Sequence, residues 1–331
     1  MQQRRLGPFP VGAIGLGCMN LSHAYGAAPP REAAAALLRR ALDCGIAHFD
    51  TAALYGFGAN ETLLGEVLAP FRSRFTLASK CGMTGVDGKR VIDGRPDTLR
   101  RTCDEALTRL RTEVIDLYYL HRWDKQVPIE DSVGALADLV QAGKIRAIGL
   151  SEVSATTLRR AHAVHPVAAV QSEYSLWTRE PEIAVLDACR ELGVTFVAFS
   201  PLGRGFLAGA LASAEDVDRL DTKDIRRAMP RFQHEHLAAN LRLFDALREL
   251  ARQCDLSPAQ LALAWLLTRG EHVLPIPGTT AIAHLEENLS AAEIVLDPAV
   301  VARLDALINR DTVSGPRYAA TTQMEIDTEA F

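Results

Sequence analysis

Short, almost continuously apolar runs alternate along this chain with longer stretches in which apolar residues recur every three or four positions. The runs fall at 13–17, 47–50, 75–80, 115–121, 147–151, 167–171, 195–200 and 273–277. Most lack the polar–apolar alternation of a half-exposed strand, so they predict strands buried on both faces in a parallel sheet. The intervening stretches carry helix punctuation. Residues 31–44 stop at Gly45, 130–141 at Gly143 and 181–192 at Gly193, glycine suiting the left-handed residue that closes a helix. Asn60 is placed to cap a helix over 61–68, and Ser154 one over 155–163. Pro96 precedes 97–110, and Ser257 with Pro258 opens 258–268, where first-turn prolines belong. Residues 235–253 and 298–308 read as further helices, and Asn288 lies near the end of another after the eighth run.

Eight strand–helix units in series predict a single α/β domain over residues 1–331, a (β/α)8 TIM barrel with extra helices near the C-terminus. A doubly wound dinucleotide-binding sheet is the rival. Gly15-Leu-Gly17-Cys-Met-Asn20 resembles part of its glycine fingerprint. The third glycine is missing, however, and a polar loop follows in place of a helix.

Composition narrows the class. The 331 residues are 48% hydrophobic and 23% charged with a net charge of −5, ordinary for a globular enzyme. The acidic excess speaks against nucleic acid as a partner, because phosphates are neutralised by cations. No apolar run reaches the roughly 18 residues that span a bilayer, and the basic N-terminus lacks the apolar segment of a signal peptide. Six scattered cysteines without a C-x-x-C pair fit reduced thiols in the cytoplasm. No metal is expected, since His234 and His236 lack a third ligand at sensible spacing. His162 and His165 bracket a helix end, where imidazoles suit the dipole. A G-x-S-x-G elbow and a P-loop are both absent from the sequence.

Catalytic groups of a barrel lie where its strands end. Asp50, Lys80, His121, Ser151, Gln171 and Ser200 end six of the runs. Each alone has a plain explanation: a cap, a solvated cation, a satisfied core imidazole. Together on one face they are hard to explain as packing, because burying polar groups costs free energy. Tyr55 follows five residues after Asp50. A phenol, with an ordinary pKa of about 10, is a poor donor near neutrality. A neighbouring Lys80 is expected to lower that value, and Asp50 to hold Lys80 charged. His121 can then orient a carbonyl oxygen for general acid chemistry.

The segments Phe49-Asp-Thr-Ala-Ala-Leu-Tyr-Gly56, Ala78-Ser-Lys80, Ile115-Asp-Leu-Tyr-Tyr-Leu-His121, Ile148-Gly-Leu-Ser151, Val170-Gln-Ser-Glu-Tyr174, Phe199-Ser-Pro-Leu-Gly203 and Pro275-Ile-Pro-Gly-Thr279 stand in the order and spacing of the aldo-keto reductases. The chain resembles that family over nearly its whole length. The resemblance implies a catalytic tetrad of Asp50, Tyr55, Lys80 and His121 that reduces an aldehyde or ketone with NADPH, NADH being left open. It implies that Ser151 and Gln171 hold the nicotinamide carboxamide and that Phe199 stacks on the ring, with Gly17, Met19 and Asp50 close by. Ser200, Pro201, Leu202, Gly203 and Arg204 would fold over the pyrophosphate. Gly278, Thr279 and Thr280 would meet the adenosine phosphate, and Glu287 and Asn288 the adenine.

The match departs at a few positions. Many members place Lys or Arg after the eighth strand to grip the 2′-phosphate, where this chain has Gly278, Ala281 and His284. The charge is therefore sought from Arg204, Lys223, Arg226, Arg227 or Arg231, or replaced by backbone N–H groups and the hydroxyls of Thr279 and Thr280. Glu152 stands where much of the family has Asn, and reads either as a carboxylate near the carboxamide or as a surface charge. Asn20 replaces an expected glycine. Substrate choice is expected in 21–25, Leu54, Phe57, Arg122, Trp123 and the tail around Arg317 and Tyr318. Trp123 reads as a pocket wall or as a rim residue against Pro128. Two alternatives to reduction remain: NAD(P)-dependent oxidation of an alcohol or sugar, and a catalytically quiet, cofactor-binding regulatory module.

Overall fold

Each of the eight apolar runs overlaps a strand in the computed structural model, which describes residues 3–22, 24–86 and 89–331. The strands are β1 (Leu16–Gly17), β2 (His48–Asp50), β3 (Thr76–Cys81), β4 (Ile115–Leu120), β5 (Ile145–Ser151), β6 (Val167–Glu173), β7 (Thr195–Phe199) and β8 (Val273–Pro275). They pair in chain order and all in parallel. The sheet closes on itself. Gly15 N–H donates to the Pro275 carbonyl at 3.0 Å and Gly17 N–H to that of Pro277 at 3.3 Å. The result is the (β/α)8 barrel.

Helices Arg31–Asp43, Ala59–Leu68, Pro96–Leu110, Ile129–Gln141, Ala155–Val164 and Val185–Leu192 follow the first, second, third, fourth, fifth and sixth strands. A long connection after β7 leads to His234–Gln253 and Pro258–Leu267, and Ile282–Ser290 and Pro298–Leu307 follow β8. Apolar faces of these helices pack on the outward strand residues in one continuous core. Inside the barrel, Ala78, Leu117, Tyr119, Ala147, Ala169, Val197 and Leu274 form a second core. Alanines there leave room for Tyr119, and a Cβ on Gly149 would fall 2.3 Å from its ring.

One end of the barrel is plugged by an antiparallel hairpin, Gln3–Leu6 with Phe9–Gly12, that delivers Leu6 and Val11 to the inner core. Gly7 N–H donates to Thr195 Oγ1 at 2.9 Å, at the start of β7. A second hairpin, Met83–Val86 with Lys89–Ile92, follows β3 at the opposite end. Neither hairpin was expected from the apolar pattern.

Ser154 and Ser257 cap their helices as anticipated. Asn60 does not. The helix Ala59–Leu68 starts after a left-handed Gly58 with no side-chain cap. The buried Asn60 amide instead donates to the Cys18 carbonyl (2.8 Å) and Ser22 Oγ (2.9 Å) and accepts from Thr51 Oγ1 (2.6 Å). It thereby ties the loops after β1 and β2 together. The stretch 181–192 divides into a 3₁₀ turn, Glu180–Glu182, and a helix, Val185–Leu192. No helix among the described residues is long and apolar enough to cross a membrane.

Candidate active site

The C-terminal ends of the strands open into a cavity of about 870 Å³. Of the residues anticipated from sequence, Gly17, Met19, Asp50, Tyr55, His121, Ser151, Gln171, Phe199, Ser200, Pro201, Leu202, Arg204, Gly278, Thr279, Thr280, Glu287 and Asn288 line it. Lys80 and Gly203 lie behind the wall, both buried.

Four strand-end groups meet at or just beneath the cavity floor. Lys80, on β3, is wholly buried. Its ammonium forms an ion pair with Asp50, at the end of β2, and donates to the Thr51 carbonyl at 2.9 Å and to Tyr55 Oη at 3.3 Å. The other oxygen of Asp50 accepts from Gln171 Nε2 at 2.7 Å, from β6. The His121 ring stands edge-on to Tyr55, with centroids 5.9 Å apart and planes at 85°. Burial opposes charge on Lys80, but Asp50 and Tyr55 outweigh it and hold the ammonium above its ordinary value. The phenol departs from expectation. Burial pushes Tyr55 up, and although Lys80 and Arg122 pull it down, the net shift is upward. Lys80 acts in the expected direction, yet the loss of hydration is the larger effect.

A second set of charges is buried beside this floor. Glu152, which reads from sequence as near the carboxamide or on the surface, is buried at a positive φ of 56° and forms a two-pronged ion pair with Arg317 of the tail. It also accepts from the Glu173 N–H at 3.0 Å. Glu173, at the end of β6, accepts from Arg204 at 2.7 Å and Thr178 Oγ1 at 3.2 Å. Burial pushes its carboxyl up, but Arg204, Arg317 and Arg231 outweigh that and leave it below the usual carboxylate range. Arg204 also donates to Tyr318 Oη at 3.0 Å, and the guanidiniums of Arg204 and Arg317 stand over the Tyr318 ring, 5.6 and 4.5 Å from its centre. Glu173 was not singled out from sequence. Its signal is a carboxylate two residues past Gln171, just beyond an apolar run.

The cations considered for the 2′-phosphate are engaged elsewhere. Arg204 pairs with Glu173 and Arg226 with Asp224. Arg227 donates to the carbonyls of Asp218 and Leu220, and the buried Arg231 to that of Trp177. Lys223 is exposed and stands outside the cavity lining. Phosphate-binding capacity lies in the backbone instead. Among the described residues, the N–H groups of Gly278, Thr279 and Thr280 donate to no protein acceptor. They run into the N-terminus of the helix Ile282–Ser290, where unsatisfied amides and the helix dipole favour an anion. Gly278 passes close to β1, and a Cβ there would lie 2.3 Å from Asn20 Oδ1 and 2.8 Å from the Gly17 carbonyl. The donor set fits the phosphates of a dinucleotide at this end.

Of the substrate-side candidates, Leu54, Tyr25, Arg122 and Tyr318 line the cavity. His23 lies outside the described residues. Phe57 is exposed and covers Gly85, and Trp123 donates to the Val127 carbonyl at 2.9 Å with Arg160 over its ring. Neither lines the cavity, so Trp123 is a rim residue and not a pocket wall. His236 bonds Ser314 Oγ at 2.9 Å and His234 faces Asp218. No group of three or more His, Cys, Asp or Glu among the described residues is placed to hold a metal.

Residues 13–309 match the Aldo/keto reductase family. The chain is 43% identical over 312 residues to a probable aldo-keto reductase 1 of Glycine max, covering 94% of this chain and 89% of that protein. Its fold is similar to that of a glycerol dehydrogenase from Gluconobacter oxydans, with a TM-score of 0.84 and 28% identity over 96% of this chain and 99% of the other. It is also similar to an aldo/keto reductase from Klebsiella pneumoniae solved with NADP and acetate, with a TM-score of 0.72 and 28% identity over 96% and 98% of the two chains.

Proposed function

The chain belongs to the aldo/keto reductase family, and from that premise we propose that it reduces an aldehyde or ketone to the alcohol with Tyr55 as proton donor. It is an NAD(P)H-dependent oxidoreductase, and its cofactor is NADPH. When bound, the cofactor supplies a hydride to the carbonyl carbon. Gly278, Thr279 and Thr280 would hold its phosphate end, and Ser151, Gln171 and Phe199 its nicotinamide end.

The remaining chemistry belongs to the chain. Burial keeps the Tyr55 proton on Oη through neutral pH. A carbonyl oxygen that takes on alkoxide character is far more basic than any phenol, so it removes that proton even from a phenol whose pKa is raised. The phenolate left behind faces the Lys80 ammonium at 3.3 Å. Asp50, gripped by Gln171, keeps that ammonium charged and in place. His121, edge-on to Tyr55, offers a ring nitrogen to the carbonyl oxygen and orients it toward the phenol.

The observation that carries this reading is the wholly buried Lys80 held between Asp50 and Tyr55 Oη. A buried ammonium needs a counter-charge, but a purely structural pair has no need of a phenol. The test is oxidation of NADPH and NADH with an activated aromatic aldehyde, wild type beside Tyr55→Phe. Turnover by wild type alone, with NADPH binding retained in the variant, is expected. Equal rates in the two proteins would refute the role of Tyr55. A second reading, alcohol oxidation with the Tyr55 phenolate as base, is favoured by the similarity to a glycerol dehydrogenase. Reduction of NADP⁺ with glycerol tests it.

A further inference from the structure

We infer that this site takes carbonyl compounds that also carry a carboxylate, and that Arg122 anchors that carboxylate; the inference rests on the carbonyl-reductase reading above. Four Arg or Lys side chains line the cavity: Arg90, Arg122, Arg204 and Arg226. Three have a carboxylate of their own, in Glu325, Glu173 and Asp224. Arg122 has none among the described residues. Its bonds go to neutral oxygens, the His121 carbonyl at 2.7 Å and Ser151 Oγ at 3.3 Å.

Both bonds are made by Nη1, which fixes the guanidinium against the floor of the cavity. Nε and Nη2 make no bond to the described protein. They form the edge of the group whose two parallel N–H donors match the two oxygens of a carboxylate. The side chain is half-buried, so its charge is screened less than that of a surface arginine. Its position decides which substrates benefit. Arg122 follows His121 directly and its charge reaches the Tyr55 hydroxyl, so the anion it holds sits near the reacting carbonyl. The other carboxylate on this floor, Asp50, is matched by Lys80 and leaves Arg122 uncompensated. A prop for His121 and Ser151 would need Nη1 alone, and its loss would weaken every substrate alike.

The test compares ω-oxo acids, from glyoxylate to 5-oxopentanoate, with the neutral aldehydes of equal length. Wild type, Arg122→Gln and Arg122→Lys are assayed with NADPH. The expected result is a preference for one of the oxo acids that falls about 10- to 100-fold in Arg122→Gln, the worth of a charge-assisted hydrogen bond, and falls mainly through KM. Lysine, a point charge without a fork, restores part of it. An equal loss on acids and neutral aldehydes overturns the inference, as does no loss on either.

Binding provides a readout apart from turnover. Calorimetry on the NADPH-loaded protein uses the hydroxy acids that correspond to the same series. If neutral aldehydes are reduced but these acids bind wild type and Arg122→Gln equally, the anchor fails while carbonyl reduction stands. If no aldehyde is reduced but the acids bind wild type and lose affinity in the variant, the anchor stands and the reductase reading fails.

Discussion

Replacing Lys80 by Met removes one charge from a pocket sealed against water, and its effects on rate and stability are separable. At 3.3 Å from Oη, a full positive charge stabilises a full phenolate by about 5 kcal/mol at an effective dielectric constant near 20. With half of that charge developed in the transition state, about 2.5 kcal/mol remains at stake, so the rate should fall by roughly two powers of ten. Met leaves Asp50 buried with only Gln171 and no counter-charge, which should cost about 3–5 kcal/mol of folding free energy. The double variant Asp50→Asn with Lys80→Met removes both charges and should recover most of that stability without recovering turnover. The assays are NADPH oxidation with an activated aldehyde, cofactor binding by fluorescence, and urea unfolding. A rate within about tenfold of wild type in Lys80→Met would refute the electrostatic argument. So would restored turnover in the double variant, since Tyr55 would then be working beside an uncharged neighbour.

Other expectations follow from the same geometry. Because burial holds the Tyr55 phenol above its ordinary value, the reduction rate should be level through neutral pH and fall only above about 10; a pH profile with a limb at 8 would contradict the raised value. Gly278→Ala places a Cβ 2.8 Å from the Gly17 carbonyl. It should weaken NADPH binding about tenfold or more by displacing the Gly278–Thr280 amides, with cofactor titration as the measure. Arg317→Ala leaves Glu152 buried without its counter-charge and should cost about 3–5 kcal/mol in urea unfolding. Arg317→Ala combined with Glu152→Gln should be less damaging than Arg317→Ala alone. Glu173, held below the usual carboxylate range in the fold, contributes stability above its unfolded value of about 4.3 that is lost as pH falls through its folded value. Acid titration of unfolding in Glu173→Gln should show a shallower decline.

The barrel was legible because a strand covered on both faces must be apolar at successive positions, and eight such runs leave few other architectures. The N-terminal hairpin was not legible. Arg4 is buried there because carbonyls of Leu267 and Gly270, more than 260 residues away, accept its hydrogen bonds, and no local pattern reveals acceptors so remote. Asp50, Tyr55, Lys80 and His121 stood out as polar residues at or near the ends of apolar runs. The net direction of the Tyr55 shift did not, because it depends on how completely the folded chain excludes water from a group whose charged neighbour is visible in sequence. The burial of Glu152, which rules out a surface charge, was hidden for a related reason: its environment is set by Arg317 from the tail. Asn60 had the residue type of a cap, but its three partners on two other loops compete more strongly for its amide than the helix terminus does.

The pairing of Glu152 with Arg317 also bears on how the protein is made. The two are 165 residues apart, so at about 5–20 residues per second the carboxylate waits roughly 10 to 30 s on the ribosome for its counter-charge. During that interval Glu152 must stay hydrated or take up a proton, because the one cation of β5, Arg146, pairs with Asp116 and β6 carries none. Glu173 waits less, since Arg204 emerges 31 residues later. The strand ends that carry Ser151 and Gln171 are therefore finished in two stages, first by the segment after β7 and last by the tail. A nascent chain halted between them would hold every residue of the tetrad and still lack the wall that Tyr318 supplies.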